Sequence, residues 1–371
     1  MAGELRVDTI KSTGGIGTIS LSGTSTNISN TTYISGNLGV GTNTTTSALY
    51  VNGDVILSSI NSGPISGARN RIINGGMDIW QRGTSTTTTG NTYLADRWVS
   101  SFPTGGTASQ SATAPTGSLY AWNYTASASN TYMQMGQQIE YINCLDLRNQ
   151  VVTISFYAKA NNVNSGSTTL TVRTRTSSTT VDATVFFAGT NVDSTVTLTT
   201  SYVKYSITRT LPASFLSLSL EFVLGSHVIT DGFSISQIQL ELGPIATIFE
   251  KRNYNLELEM CQRYYEKSYA LTTVPGTNAG PGTGEWVSVT INAADYYNFG
   301  YLPFKTRKRA SPTMTWWSTD GTINTARQQD AANVTAVVRT TFNETSGSFG
   351  CSGATNTFYH RIHWSASAEF V

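Results

Sequence analysis

The sequence is short of charge. Asp, Glu, Lys and Arg together make up 12% of the 371 residues, about half the usual share in soluble domains. The formal net charge is +1, so the chain lacks the basic surface that binds duplex nucleic acid or an anionic membrane. We therefore expect neither nucleic-acid binding nor membrane insertion.

Long apolar runs and paired cysteines are missing too. No stretch of about 18 apolar residues occurs, and the first ten residues carry Glu4, Arg6 and Asp8 where a secretion signal needs an apolar core. The three cysteines are too widely spaced for a disulfide framework or a zinc site. They are Cys144, Cys261 and Cys351. We expect reduced thiols and a chain made in a cytoplasm.

The N-terminal part of the sequence contains a β segment with few apolar residues. Residues 12–53 hold no charged residue but carry nine aliphatic ones among Gly, Ser, Thr and Asn. These are Ile16, Ile19, Leu21, Ile28, Ile34, Leu38, Val40, Leu49 and Val51. Burying so few aliphatic side chains cannot offset the entropy of ordering the segment. Identical chains wound together would cover the apolar edges, so we predict an intertwined β shaft over residues 12–65, preceded by a virion-docking segment at residues 1–11.

Residues 66–250 alternate apolar and polar residues in short runs separated by turn clusters. This pattern is typical of many β-strands without intervening helices, and it predicts a sandwich. Two shorter runs inside the shaft, Ile34–Thr42 and Ala48–Leu57, also predict strands. The sandwich runs are Val151–Ala160, Thr168–Thr176, Ser194–Thr200, Tyr202–Leu211, Leu216–Leu224 and Phe233–Leu242.

One helix is predicted at residues 253–267. Asn253 or Asn255 can cap its start, and Arg263 and Lys267 lie near its negative end. It leads into residues 251–371, which return to strands rich in Gly and aromatic residues and form the predicted C-terminal β domain. The predicted fold is therefore all-β with one linking helix.

Several blocks of the sequence resemble tail fibre proteins of tailed bacteriophages, particularly marine and cyanobacterial phages. The blocks are Asn70–Ser85, Tyr93–Ser100, Ile238–Ser268, Leu302–Met314 and the closing HWSASAEF. The resemblance implies a homotrimer with its N-terminus on a tail or baseplate protein and its C-terminal domains facing the host. It also implies that the middle domain is a jelly-roll similar to carbohydrate-binding modules. Lys305–Arg309 departs from the family, being more basic.

A virion-borne fibre of this kind acts at the host cell surface, and its ligand is a surface polysaccharide such as lipopolysaccharide or capsule. Sugar recognition needs flat aromatic faces flanked by polar partners. The C-terminal region offers both, and its basic cluster suits phosphate or uronate groups. The predicted glycan-binding residues are Trp286, Tyr296, Tyr297, Lys305, Arg307, Trp316 and Trp317. Core or subunit-interface roles are the competing interpretation.

Several carboxylates have expected structural roles. We expect no cofactor, with one alternative. The resemblance to carbohydrate-binding modules allows a structural calcium ion bound by Asp78, Asp231 and Glu241. Asp96 and Arg97 are expected to form a buried ion pair that fixes Trp98.

Motifs for catalysis are missing. The sequence has no phosphate loop, no G-x-S-x-G elbow and no closely paired cysteines. We therefore predict a protein that is not an enzyme. Two alternatives stay open: a structural connector or collar fibre without receptor binding, and a polysaccharide depolymerase, since glycosidic cleavage needs only two carboxylates.

Overall fold

The computed structural model describes residues 38–40, 49–51, 67–87, 89–162, 168–184, 186, 189–289, 297–328, 332–335, 341–351 and 359–370. The chain divides into two compact units, Met1–Ser58 and Ser59–Val371. The predicted shaft boundary at residue 65 lies a few residues beyond this division. The predicted docking segment at residues 1–11 lies outside the described residues, and the split of the larger unit at residue 250 stays a prediction.

The first unit contains two described strands, β1 (Leu38–Val40) and β2 (Leu49–Val51). They pair in parallel, with Leu38 opposite Leu49. Both lie inside the two runs that predicted strands. The remainder of the predicted shaft lies outside the described residues, so its intertwining stays a prediction.

Twelve strands of the second unit form two antiparallel sheets of six strands each. The strands are β3 (Ser85–Thr86), β4 (Thr92–Tyr93), β5 (Val99–Ser101), β6 (Gly106–Ser111), β7 (Ala121–Ala126), β8 (Met133–Ile139), β9 (Val151–Asn162), β10 (Thr169–Ser177), β11 (Thr190–Thr197), β12 (Val203–Thr210), β13 (Ser217–Leu224) and β14 (Gly232–Leu242). Their orders in the two sheets are β11-β10-β13-β8-β5-β4 and β12-β9-β14-β7-β6-β3. Two 3₁₀ helices, Tyr141–Asn143 and Leu145–Leu147, precede β9.

The two sheets share one hydrophobic core. Phe156 of β9 and Phe222 of β13 meet edge to face with ring centroids 4.9 Å apart, although their strands belong to different sheets. This packing is sandwich-like, and it confirms the all-β prediction; the jelly-roll connectivity stays a prediction. Alternate apolar residues along β9 supply the inward face, as the period of a strand requires.

The segment that leads into the sandwich runs along the edge of β14 that β7 leaves unpaired. The amide of Arg71 donates to the carbonyl of Leu240 at 2.9 Å, and the amide of Ile238 donates to the carbonyl of Gly75 at 2.9 Å. A Cβ at Gly75 would lie 2.1 Å from the carbonyl oxygen of Ile238, so only glycine permits this approach. β14 is therefore paired along both edges, and ten of its eleven residues are buried.

The predicted helix is shorter than the sequence suggested. Helix α1 spans Tyr254–Gln262, and the side chain of Asn253 accepts a hydrogen bond from the amide of Asn255, as an N-cap does. The prediction of helix through residue 267 is wrong, because Tyr265–Lys267 form strand β15 against the C-terminal strand. Tertiary pairing overrides the helical pattern there. Among the described residues, no helix has the length and apolarity to cross a membrane.

The C-terminal part is built around its last strand, β23 (Tyr359–Ser367), against which β15, β16, β18 and β19 pair. The other strands are β16 (Trp286–Val289), β17 (Tyr297–Pro303), β18 (Thr313–Trp317), β19 (Thr325–Gln328), β20 (Ala332–Thr335), β21 (Thr341–Phe342) and β22 (Ser346–Cys351). β17, β22 and β21 form a separate sheet.

Buried charges join this part to the sandwich. The guanidinium of Arg97 donates to the carboxylate of Glu369 and, at 2.6 Å, to the carbonyl of Gln138. The predicted Asp96–Arg97 pair is wrong: Asp96 instead faces Arg82 at 3.5 Å. Neighbouring residues point apart here, so each finds a partner distant in sequence. Cys144 and Cys261 are buried free thiols, whereas the side chain of Cys351 lies outside the described part of the chain.

Candidate functional site

A cavity of about 300 Å³ opens beside β3 and β6, at the edge of one sandwich sheet. We call it the edge pocket. Its walls come from the segment before β3, from β6, from the approach to β7, from the first residue of α1 and from the loop after β15. The lining residues are Asp78, Trp80, Gly83, Thr84, Gln110, Leu119, Tyr120, Tyr254, Leu271, Thr272 and Val274.

Three aromatic side chains line the edge pocket, and the fold holds each differently. Trp80 belongs to the sandwich core, and its indole Nε1 donates to the carbonyl of Met77 at 2.6 Å. Tyr120 is half-buried against the same core. Tyr254, the first residue of α1, remains 48% exposed. Aromatic area fixed by core packing is the feature that binding clefts use for flat apolar ligand faces.

The polar side of the edge pocket is dominated by Asp78. Its Oδ1 is buried, and no described residue donates a hydrogen bond to it. Burial raises the pKa of Asp78, and the positive charge of Lys251 partly opposes this. The side chains of Gln110 and Thr84 add an amide and a hydroxyl to the lining. The backbone amide of Gln110 donates to the backbone carbonyl of Thr84 at 2.7 Å, which fixes the two backbone segments together.

The loop that follows β15 is held by a buried lysine. The Nζ of Lys267 donates to the carbonyls of Gln81, Leu271 and Thr273 at 2.6, 2.9 and 2.6 Å. Burial lowers the pKa of Lys267 to about 8, with Asp96 opposing the shift. One ammonium thus ties the loop wall of the edge pocket to the sandwich.

A larger cavity of about 470 Å³ lies near the start of the described sandwich, but charged groups in its lining form hydrogen bonds within the protein. Glu250 accepts hydrogen bonds from the amides of Ala68 and Asn70. Arg252 donates to the carbonyl of Ile72 at 2.9 Å. Because these groups hold the entering chain in place, the cavity offers mainly apolar surface to a ligand.

The predicted tryptophans do not gather at one site. Trp286 and Trp316 pair with Ile362 and Trp364 of β23, which share a face of the strand, and both pack on the C-terminal core. Trp317 is on the opposite face, where its ring meets Tyr269 edge to face at 6.0 Å. All three are half-buried. Tyr296 lies outside the described residues, and of Tyr297 only the backbone is described.

The predicted basic cluster is divided: Lys305 and Arg307 are exposed, and Lys308 is buried. The Nε of Arg307 donates to Glu344 at 3.0 Å, and Lys308 is fully buried against Glu266. Lys305 is exposed. Its backbone amide also donates to Glu266.

The predicted calcium ligands are far apart along the fold. Asp231 and Glu241 stand at opposite ends of β14, and Asp78 lines the edge pocket. Glu241 accepts from Arg69 at 3.3 Å and from the Thr247 amide at 2.8 Å. In the described part of the chain, no three acidic, histidine or cysteine residues form a group that could hold a metal ion.

Sequence reasoning missed the edge pocket, although it noticed Asp78 for a different reason. Trp80, Tyr120 and Tyr254 are separated by up to 174 residues, so no local motif connects them. The signal that could have found the pocket is the Asp78-x-Trp80 pair beside a run of small turn residues, which places a carboxylate and an aromatic ring on one face of an extended chain.

Comparison with known proteins gives only distant structural similarity. No protein-family model and no curated protein sequence matches this chain. The chain is similar to TmCBM61 in complex with beta-1,4-galactotriose (13% identity, 47% of this chain and 99% of that chain, TM-score 0.31). It is similar to the enzymatically active domain of tailspike protein 4 from bacteriophage CBA120 (14% identity, 53% and 24%, TM-score 0.29). It is also similar to the xylan-binding domain of Paenibacillus barcinonensis Xyn10C (16% identity, 44% and 94%, TM-score 0.28).

Proposed function

We propose that this protein is a phage tail fibre that attaches the virion to a host-surface glycan through the edge pocket. The observation that carries this proposal is the convergence of Trp80, Tyr120 and Tyr254 with the carboxylate of Asp78 in one cavity. Pyranose rings present apolar faces and hydroxyl edges, and this lining offers a partner for each.

The dimensions of the edge pocket suit a small part of a polysaccharide. A cavity of about 300 Å³ is at the lower end of ordinary ligand sites, so it holds one or two sugar units and leaves the rest of the polymer outside. Leu119 and Val274 are 65% and 47% exposed at this site, and they extend the apolar surface beyond the cavity.

Assembly as a homotrimer is part of the proposal. The parallel pair β1–β2 has just two strands in the described residues, and such a pair needs further strands to be stable. Sister chains would supply them. Three weak glycan sites per fibre then act through effective concentration, while the N-terminal segment docks on a tail or baseplate protein.

Two other functions are separated from this one by specific features. A connector or collar fibre has no use for aromatic rings and an unsatisfied carboxylate in one cavity. A depolymerase of the usual kind needs two carboxylates across the scissile bond, and of the described residues lining the edge pocket Asp78 alone carries a carboxylate. We therefore propose binding without catalysis.

A binding experiment tests the proposal. Labelled full-length protein is applied to a panel of bacterial surface polysaccharides, and released reducing ends are assayed alongside. We expect binding without new reducing ends, and about tenfold weaker binding by Tyr254→Ala, which removes an exposed aromatic face. Leu256→Ala is the matched control, because Leu256 is 50% exposed on the same helix but does not line the edge pocket. Equal binding by both variants contradicts the proposed site, and new reducing ends favour a depolymerase.

A further inference from the structure

Among the described residues that line the edge pocket there is a single formal charge, and it is negative. Asp78 supplies that charge, whereas the other lining residues are aromatic, aliphatic, hydroxyl, amide or glycine. The cation whose charge acts on Asp78 is Lys251, which is exposed and whose Nζ contacts the carbonyl of Gly117 at 3.2 Å. Lys251 does not line the cavity.

Asp78 also has an unmet hydrogen-bonding capacity. Its backbone amide donates to the side chain of Asn74 at 2.9 Å, but no described residue donates to Oδ1. A Cβ at Gly76 would lie 2.9 Å from Oδ2, so the carboxylate is packed closely on the turn before it. Because Oδ1 has almost no solvent-accessible surface, a ligand in the cavity can reach the carboxylate only through its other oxygen, Oδ2.

We infer that the edge pocket takes a non-acidic sugar, neutral or amino, whose hydroxyl or amino group donates to the carboxylate of Asp78. This inference rests on the proposed glycan binding and adds the class of sugar. A uronate, sialate or phosphorylated unit would bring a second negative charge beside Asp78 in a partly desolvated cavity, where like charges repel strongly.

The basic cluster, which suggested acidic sugars at the sequence level, does not offset this. Arg307 pairs with Glu344, and Lys308 is buried with Glu266. Arg309 donates to the carbonyls of Ala368 and Glu369, and none of these cations lines the edge pocket. Acidic sugars therefore meet no neutralising cation among the lining residues that the structure describes.

The test measures affinity of the full-length protein by calorimetry for three oligosaccharide sets of equal length: neutral hexose, hexosamine with free amino groups, and hexuronate. We expect binding of a neutral or amino oligosaccharide, and at least about tenfold weaker binding of the hexuronate. Asp78→Asn keeps the shape but removes the charge, so it should weaken binding of the preferred sugar about tenfold and shrink its advantage over hexuronate. Asp193→Asn, an exposed change on edge strand β11 of the other sheet, is the matched control.

Each possible outcome either supports or overturns the inference. Hexuronate binding as tight as that of the neutral and amino sugars overturns the inference and leaves glycan binding intact. Unchanged affinity of Asp78→Asn, with an unchanged melting temperature, also overturns the inference. Failure of every sugar class to bind, in a folded protein, overturns both the inference and the proposed function.

Discussion

Replacing Lys267 with methionine tests how the loop wall of the edge pocket is held. Methionine is similar in length and unbranched, so it fills the same space without an ammonium. Lys267 is 3% exposed, and its Nζ holds the carbonyls of Gln81, Leu271 and Thr273. In the variant these carbonyls lose their common donor, while Leu271 and Thr272 still line the cavity.

The magnitude follows from two opposing contributions. A hydrogen bond to a charged group contributes about 1.5–3 kcal/mol, and three carbonyls are involved. Burying an ammonium costs several kcal/mol and offsets much of this gain. We expect Lys267→Met to lower the free energy of unfolding, or that of opening the loop, by about 2 kcal/mol, which raises the open population of the loop about 30-fold. Glycan binding weakens in proportion to the closed population that is lost, so about 30-fold is the upper limit.

Hydrogen exchange at the loop is the direct assay. The Thr273 amide donates to the carbonyl of Ala270 at 3.0 Å, so its exchange reports whether the turn that Lys267 holds at Leu271 and Thr273 stays formed. Lys204→Met is the matched control, since Lys204 is exposed and contacts one carbonyl, that of Thr247. Unchanged exchange at Thr273 and unchanged affinity in Lys267→Met would refute the role given to this lysine.

Three further predictions concern other parts of the molecule. Burial lowers the pKa of His363 below 6.5, and the charge of Glu285 opposes this shift. As the pH falls, the unfolded chain therefore binds a proton at this histidine before the folded chain does. Urea unfolding should show stability decreasing below pH 6.5, with a smaller decrease in His363→Gln, and equal pH dependences of the two proteins would contradict this. Trp317→Ala should lower stability by about 2 kcal/mol through lost packing on Tyr269 while keeping host adsorption; lost adsorption with unchanged stability would instead favour the C-terminal aromatic site. Light scattering of the full chain should give three times 39.9 kDa, and a monomer mass would contradict the trimer.

Strands β9–β14 of the sandwich were predictable, since period-two alternation is a local property, whereas β3–β8 match none of the predicted runs. Val151–Ala160 was predicted as a strand, and β9 runs from Val151 to Asn162. The end of the helix was not predictable from the same evidence. Tyr265 continues the helical stripe of Leu258 and Cys261, yet it pairs with Ser367, and that partner lies about a hundred residues away.

The partners of charged residues are also hard to predict from the sequence. Asp96 and Arg97 are adjacent, and adjacency suggested a pair, but Arg97 reaches Glu369 and Asp96 faces Arg82. Sequence spacing cannot reveal such partners. The edge pocket was missed for this reason as well, since Trp80 and Tyr254 meet only after the chain has folded.

A crystal structure of the full-length protein with a bound oligosaccharide from its host tests the central claim most directly. We predict a sugar ring in the edge pocket, in contact with the aromatic rings of Tyr120 and Tyr254 and hydrogen-bonded to Asp78. A sugar bound instead beside Trp286, Trp316 or Trp317, with the edge pocket empty, would contradict the account.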